Sequence, residues 1–394
     1  MPRLVASMLL ARTAGQMVSL VLIVFALQRY GSAEVAGAVT FLGVLPGVLG
    51  SPIAGALLDR HGRTRLVVLD YTIAAAALFL IAALATSDRL SVPLLLAIVT
   101  VSSLTQPLSN TGVRTLFPLI VPPRLWERAN AIDSNGYVVA SIVGPALAGA
   151  LIAALGAPAA LALTGAIFAA GAVVALGLRD PATRTDTGRL LPDAWRGLVY
   201  VTRHPTLRAL ALSVSTANLG WGIFFVTLPV LVLRDFGGGP EFVGVLFALL
   251  GIAGSASVLL MGRVSTLGRE RRLLAASMLG QATAFTLVLL FPHPVVVAVA
   301  MVALGIASGP FDIVLFTLRQ RRTDPAWLGR AFAVSMALNF AGFPVGSAIA
   351  GAVVPFSIAA ALAAAVLFQL LGAAFSLVTI PAQPPVEAVT DAVR

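Results

Sequence analysis

Long apolar stretches, separated by short charged or Pro/Gly-rich segments, dominate the chain. Residues 35–58, 90–113 and 134–178 contain no Asp, Glu, Lys, Arg or His. About 20 apolar residues in a helix cross the hydrocarbon core of a bilayer. The longest stretch would make a helix of about 68 Å, so the Gly and Pro at 156–158 are predicted to divide it. The pattern predicts twelve transmembrane helices, near 4–28, 35–58, 66–86, 92–113, 132–154, 159–178, 209–233, 242–262, 273–291, 295–318, 331–354 and 356–380.

The composition agrees with this pattern. Hydrophobic residues make up 59% of the 394 residues and charged residues only 11%, against about 25% in a typical soluble domain. The fold class predicted is therefore an all-α integral membrane protein, and the composition argues against a soluble enzyme. There is no cysteine, and His61, His204 and His293 are far apart in sequence. We therefore predict no metal site and no bound cofactor.

The arginines predict an orientation. All 26 basic residues are arginine; with a cytoplasmic N-terminus, 22 of them fall in cytoplasmic segments, while Arg29, Arg89 and Arg234 fall outside and Arg12 lies within the first span. An excess of basic residues marks the cytoplasmic loops of membrane proteins. The bias predicts a multi-pass protein of a bacterial inner membrane with both termini in the cytoplasm, and it argues against nucleic acid as a partner.

The longest basic loop divides the spans into two sets of six. In it, Trp195, Leu198, Val199 and Thr202 recur at helical spacing after Pro192-Asp193, which predicts a short helix on the membrane surface. The predicted organisation is a first six-helix bundle, a cytoplasmic linker, a second six-helix bundle and a cytoplasmic tail, at 1–178, 179–208, 209–380 and 381–394.

Glycines repeat between the two sets of spans. Gly37 aligns with Gly244 at an offset of 207 residues, and Gly149 aligns with Gly351 at an offset of 202. The change of offset requires small deletions in loops. The repeat predicts two similar bundles related by an axis normal to the membrane.

The loop between spans two and three carries a family motif. Residues 55–63 read GALLDRHGR and resemble the GxLaDRxGrkxxl signature of the major facilitator superfamily, which lies at the same place in those transporters. The second-half counterpart, 262–272, keeps glycines and arginines but has no matching Asp. The resemblance implies two six-helix bundles that rock about a central site, with a gating role for Gly55, Asp59, Arg60, Gly62 and Arg63.

Span five carries a second motif. Its residues 140–149 resemble the gxxxGPxxGG motif of antiporters in this superfamily: Gly144, Pro145 and Gly149 match, and alanine replaces two glycines. The motif implies export in exchange for protons, although small residues also serve close helix packing. Segments 119–131 and 324–334 resemble the macrolide-efflux-like branch, which implies export of drug-like or siderophore-like compounds.

Ionisable residues within the spans are candidates for proton coupling, because a charge in hydrocarbon costs at least about 2.5 kcal/mol. They are Asp312, Arg12, Asp70 and Asp133. Asp312 is the principal candidate, with pairing to Arg319 or Arg12 as the structural alternative. Asp70 and Asp133 are expected to pair with the cytoplasmic arginines, and Arg12 could reach the interface instead.

Spans one, four, seven and ten line the central cavity in this family. Apolar and aromatic walls with a few uncharged polar groups suit an amphipathic organic molecule. The cavity candidates are Gln106, Asn110, Asn218, Trp221 and Phe225. Helix packing is the alternative role for each of them.

The sequence as a whole predicts a monomeric transporter that exports amphipathic small molecules, with the proton as coupling ion and the lipid bilayer as its surroundings. There is no ATP-binding loop, so a gradient must supply the energy. An importer or an uncoupled facilitator is the alternative within transport, because the first-helix acid common in the efflux branch is missing after Gly15-Gln16. A membrane partner protein that transports nothing is the alternative of another class.

Overall fold

The computed structural model describes residues 2–120, 126–178, 190–323 and 328–382, and all regular structure in these ranges is helical. Twelve helices are long and apolar enough to cross a membrane, which confirms the predicted number and the all-α fold. The helices are α1 (Pro2–Tyr30), α2 (Ala33–His61), α3 (Arg63–Thr86), α4 (Val92–Ile120), α5 (Trp126–Leu155), α6 (Ala157–Leu176), α7 (Leu190–Arg203), α8 (Pro205–Val230, continued by a π-helical turn, Leu231–Asp235), α9 (Pro240–Met261), α10 (Glu270–Leu290), α11 (Pro294–Arg322), α12 (Leu328–Phe340), α13 (Gly342–Val353) and α14 (Ile358–Thr379).

Helix boundaries follow local sequence. Ser32 caps α2 by accepting a hydrogen bond from the Val35 amide at 3.1 Å. Gly62 separates α2 from α3 with φ +93°, and Gly156 separates α5 from α6 with φ +81°. Side chains other than glycine rarely adopt such φ values. The predicted division of 134–178 at Gly156 is therefore where the chain turns.

Three elements differ from the predicted spans. Helix α4 continues to Ile120, seven residues past the predicted end, and α5 begins at Trp126. Span eleven consists of two helices, α12 and α13, with a break at Ala341. Pro344 has no amide hydrogen to donate within the helix, and Gly342 lies directly against the backbone of Ser215 in α8. Close contact with α8 and the proline together break this helix.

The predicted linker helix forms as α7. Val201 is buried in a cluster with Leu207 and Leu210 of α8, whereas Thr202, one of the residues of the predicted membrane-surface face, is exposed. Helix α7 packs against both α12 and α8, and the placement of its other face on the membrane surface stays a prediction. Residues 179–189 and 383–394 lie outside the described part of the chain, so the predicted domain boundaries stay predictions.

Two close helix pairs join α1–α6 (the N-half) to α8–α14 (the C-half): α2 contacts α13, and α5 contacts α9. A methyl group on Gly37 would lie 2.5 Å from the Ser347 oxygen and 2.8 Å from Gly351 Cα. A methyl group on Gly244 would lie 2.7 Å from the Pro145 oxygen and 3.2 Å from Gly149 Cα. The glycines of the sequence repeat therefore meet in two equivalent pairs.

Both pairs lie at the end of the bundle where α1, α3 and α5 finish, here called the outer end. Arginine counting predicts that this end faces away from the cytoplasm. Glycine contacts bring backbones together without intervening side chains. The two halves are thus closed against each other at the outer end.

Candidate functional site

The N-half contains a partly open cavity of about 310 Å³, within the range of small-molecule sites. Helices α1 to α4 form most of its wall, α5 contributes Tyr137 and α6 contributes Phe168. Apolar residues such as Leu22, Val39 and Leu78 separate the polar groups. The polar lining consists of Arg12, Gln16, Ser19, Thr40, Asp70, Tyr71, Ser102, Ser103, Gln106, Ser109, Asn110 and Tyr137.

Asp70 is the buried acid of this cavity, with only 3% of its surface exposed. Thr105 and Ser109, one turn apart on α4, lie beside its carboxylate, and their hydroxyls donate to the Ser102 and Gln106 carbonyls of the same helix. It makes no salt bridge with a residue that the structure describes. Arg65, the nearest predicted partner, is exposed, because five helical positions rotate a side chain by about 140°. The side chains of Arg114, Arg124 and Arg128 lie outside the described part of the structure, so the expected pairing of Asp70 with the cytoplasmic arginines stays a prediction.

Arg12 also lines the cavity, and its guanidinium lies 4.0 Å from the centroid of the Tyr137 ring. A cation over an aromatic face gains about 0.5–2 kcal/mol. The absence of a side chain at Gly136 leaves room for this contact, since a methyl group there would lie 3.3 Å from Arg12 Nη1. Arg12 therefore links α1 to α5 across the cavity.

Asp312 lies within the membrane-spanning helix α11. Protein atoms surround its carboxyl group closely although part of the side chain surface is accessible, and it forms no hydrogen bond or salt bridge with any residue of the described ranges. Arg319 is fully buried and directs its guanidinium to Ser335 and Met336 on α12. Neither Arg319 nor Arg12 pairs with Asp312 in this structure, and the coupling role of this acid stays a prediction.

The five cavity candidates divide between the halves. Gln106 and Asn110 line the N-half cavity. Asn218 instead donates to the Asn339 carbonyl at 2.8 Å. Trp221 donates to Gln281 Oε1 at 2.9 Å, and the ring of Phe225 packs against Phe247 and Phe343. These last three side chains hold helices of the C-half together, which is the packing role left open by the sequence.

Residues of the antiporter-like motif take part in two contacts between helices. A methyl group on Gly144 would lie 2.5 Å from Gln16 Cβ, so this glycine brings α5 against the cavity helix α1. Pro145 and Gly149 meet α9 at the outer end. One motif thus joins the wall of the cavity to the contact between the halves.

The gating motif is described only in part. Gly55 and Asp59 lie in α2, but their side chains, like that of Asp133 in α5, lie outside the described part of the structure. Arg60 is exposed and Arg63 begins α3. Gly62 has a counterpart in Gly268, also with positive φ (+74°), 206 residues later. The second copy of the motif at 262–272, which lacks the Asp, therefore keeps the turn at its glycine.

Comparison with known families decides what kind of protein has this architecture. The model of the Major Facilitator Superfamily matches residues 4–217 and again 210–394. The chain belongs to the major facilitator superfamily. Its members are membrane transporters, and the resemblance drawn from the loop motif is confirmed.

Relatives in the superfamily include exporters. The chain is 39% identical to the uncharacterized MFS-type transporter y4rN of Sinorhizobium fredii, over 96% of this chain and 94% of that protein. It is 26% identical to the multidrug efflux pump Tap of Mycolicibacterium fortuitum, over 86% of each chain. It is 24% identical to macrolide efflux protein A of Streptococcus pyogenes, over 84% of this chain and 86% of that one. The expected similarity to the macrolide-efflux-like branch is confirmed.

Solved superfamily structures share the fold. A point mutant of the nucleoside transporter NupG superimposes with a TM-score of 0.75 at 14% identity, over 96% of this chain and 97% of that one. A bacterial homologue of the human lysosomal transporter Spinster, in an inward-facing and occupied conformation, gives 0.73 at 15% identity, over 96% and 95%. At these identities the likeness concerns the fold alone.

Sequence reasoning missed two members of the site. Thr105 and Tyr137 were not among the predicted residues, although Thr105 and Ser109 share a face of α4 at a spacing of four residues. A search for hydroxyls at that spacing opposite a buried acid would have found Thr105. Nothing in the sequence connects Tyr137 with Arg12, because their contact spans 125 positions.

Proposed function

We propose that this chain is a proton-coupled exporter of amphipathic organic compounds in a bacterial inner membrane, working as a monomer by alternating access. The observation that carries the proposal is the N-half cavity, whose wall combines apolar residues with a few polar groups and one buried carboxylate. Such a lining suits a molecule with a large apolar body and a polar group. The similarity to a multidrug pump and a macrolide efflux protein supports export.

Alternating access requires that the halves separate at one end while they close at the other. The paired glycines at the outer end offer a surface on which the halves can close tightly and part again, because only backbone meets there. The cavity would then receive its substrate from the cytoplasmic side or the inner leaflet and release it after the outer end opens.

Coupling of transport to protons can be tested in inside-out membrane vesicles. A gradient of one pH unit stores about 1.4 kcal/mol, enough for about a tenfold substrate gradient in one-to-one exchange. Vesicles that contain the protein should concentrate an efflux substrate, such as a macrolide or a fluorescent dye, when their lumen is acid. Uncoupler should remove this accumulation. Asp88→Asn, an exposed change in an outer loop, serves as the control that retains accumulation.

Equilibration without accumulation would identify an uncoupled facilitator, and gradient-driven extrusion from these vesicles would identify an importer. Either result contradicts the proposed function. Growth of cells that lack their own pumps, with and without the protein, across a panel of toxic compounds would define the range of substrates.

The proposed topology has its own prediction. A reporter enzyme that works only outside the cytoplasm should be active when it is fused after Asp88 or Pro292, and inactive when it is fused after Arg63 or Gly268. Asp88 and Pro292 lie in loops at one end of the helical bundle, and Gly268 in a loop and Arg63 at the start of α3 lie at the other end. A reversed pattern of activity would contradict the orientation inferred from the arginines.

A further inference from the structure

A basic loop joins α9 to α10 at the end of the bundle opposite to the outer end. The segment 262–272, which contains this loop, has four arginines and a single acid, Glu270. Glu270 is buried and pairs with Arg321 of α11 at 2.7 Å. Because its one acid is already paired with a residue of another helix, the segment presents a strongly positive surface.

Hydrogen bonds fix the shape of the α9–α10 loop. The Val264 amide donates to the Met261 carbonyl at 2.9 Å, and the Arg269 amide donates to the Thr266 carbonyl at 3.0 Å. Thr266 is buried, and its hydroxyl accepts a hydrogen bond from Arg321 Nη1 at 3.2 Å. The loop is therefore held against α11 by the same arginine that pairs with its acid, and its exposed side chains have a fixed arrangement.

Two apolar side chains of this loop are exposed. Val264 has 51% of its surface exposed and Leu267 has 49%. The arginines on either side of them, Arg263 and Arg269, are exposed as well. Apolar side chains beside basic ones are typical of segments that lie at the boundary between the acyl chains and the headgroups of a bilayer.

The exposed faces of both flanking helices lead to the same loop. On α9, Ile252 and Leu259 are exposed at a spacing of two turns, and the exposed Arg263 follows four residues later. On α10, Arg272 and Leu279 are exposed at a spacing of two turns and therefore share a face. Each apolar face that is available to lipid thus ends in an exposed arginine.

We propose that the exposed surface of the α9–α10 loop, formed by Arg263, Val264, Leu267, Arg269 and Arg272, binds an anionic phospholipid of the cytoplasmic leaflet. The guanidinium groups bind the phosphate, because their geometry matches its oxygens. The acyl chains cover the two apolar side chains of the loop. The inference goes beyond the proposed function and depends on neither the direction nor the coupling of transport.

Native mass spectrometry of the purified full chain in detergent can measure the binding of single lipid molecules. Phosphatidylglycerol is the anionic probe, and phosphatidylcholine with the same acyl chains is the neutral one. The wild type should bind the first phosphatidylglycerol about tenfold more tightly than the first phosphatidylcholine. Each arginine near an anionic headgroup strengthens binding about fivefold. Arg263→Gln with Arg269→Gln should therefore weaken phosphatidylglycerol binding about 10- to 30-fold and leave phosphatidylcholine binding unchanged.

Arg203→Gln with Arg208→Gln is the matched control. It removes the same charge from exposed arginines at the same end of the bundle, and phosphatidylglycerol should bind to it as to the wild type. Val264→Ser with Leu267→Ser keeps every arginine and should weaken binding about 3- to 10-fold, because the acyl chains then cover less apolar surface. Thermal melting of each variant shows that it is folded.

Equal affinity of the wild type for the two lipids would overturn the inference. So would wild-type affinity for phosphatidylglycerol in Arg263→Gln with Arg269→Gln. An equal loss in this variant and in the matched control would show a diffuse attraction to the net charge of the chain, which also contradicts a defined site. If Val264→Ser with Leu267→Ser binds phosphatidylglycerol as the wild type does, the loop recognises an anion without its acyl chains, and the lipid is not the ligand.

Discussion

Gly149→Leu is expected to stop transport while the protein remains folded. A Cβ atom at this position would lie 2.6 Å from the Pro240 oxygen, 3.1 Å from Gly244 Cα and 3.2 Å from Glu241 Cα. All three atoms belong to the backbone of α9, so no side chain can move aside. Overpacking costs about 1–3 kcal/mol, which would lower the ratio of the closed to the open outer end by about 5- to 150-fold.

The sequence repeat allows the same prediction to be tested at an equivalent position. Gly37 meets Gly351 across α2 and α13 as Gly244 meets Gly149 across α9 and α5. Gly37→Leu should therefore have the same phenotype. Gly50→Leu is the matched control within α2, because a Cβ atom there would meet only the Leu104 oxygen at 4.0 Å. This variant should transport normally.

Distance measurements separate blocked closure from misfolding. Leu155 at the end of α5 and Phe291 after α10 are exposed, at 57% each, and can carry spin labels at the outer end of the two halves. In Gly149→Leu the distance between the labels should lengthen, while the melting temperature stays near that of the wild type. Normal transport with an unchanged distance would show that these glycines do not form the closing contact.

The sequence identifies the glycines of this contact as equivalent positions because its signal is local and repeated. Long apolar stretches give the number of spans. A segment in lipid must form its backbone hydrogen bonds internally, and a helix does so. The offset of 207 residues between Gly37 and Gly244 marks equivalent positions on the two bundles. The helical starts at Ala33 and Pro240 have the same offset of 207 residues. The fold could therefore be predicted closely from hydropathy and the repeat.

The partners of polar side chains could not be predicted in the same way. Asp70 was assigned to arginines that are near in sequence, but Thr105 and Ser109 of α4 lie beside it. Trp221 was assigned to a cavity, but its partner, Gln281, comes from a helix 60 residues away. Such contacts depend on which helix faces lie together, and an amphipathic pattern is weak in helices surrounded by lipid and protein. The roles predicted for the site residues stay predictions.

Asn339→Leu should lower the stability of the C-half more than Asn218→Leu does. Arg319 is fully buried between α11 and α12. Its Nε donates to Ser335 Oγ at 3.1 Å. With the Asn339 amide oxygen directed at the guanidinium, that oxygen accepts from Nη2 at 2.6 Å, and the amide nitrogen donates to the Ser335 carbonyl at 3.1 Å. Leucine has a similar volume but cannot accept a hydrogen bond, so a buried charge would lose this acceptor.

The physical comparison is between a charged and a neutral hydrogen bond. Removal of an acceptor from a charged donor costs about 1.5–3 kcal/mol, against about 0.5–1.5 kcal/mol for a neutral pair. Asn218→Leu removes a neutral bond to the Asn339 carbonyl and should therefore lower the melting temperature less than Asn339→Leu does. Asn339→Asp keeps an oxygen beside Arg319 and should melt near the wild type. If Asn339→Leu and Asn218→Leu lower the melting temperature equally, loss of this acceptor costs no more than loss of a neutral partner. That result would show that other groups stabilise the charge of Arg319.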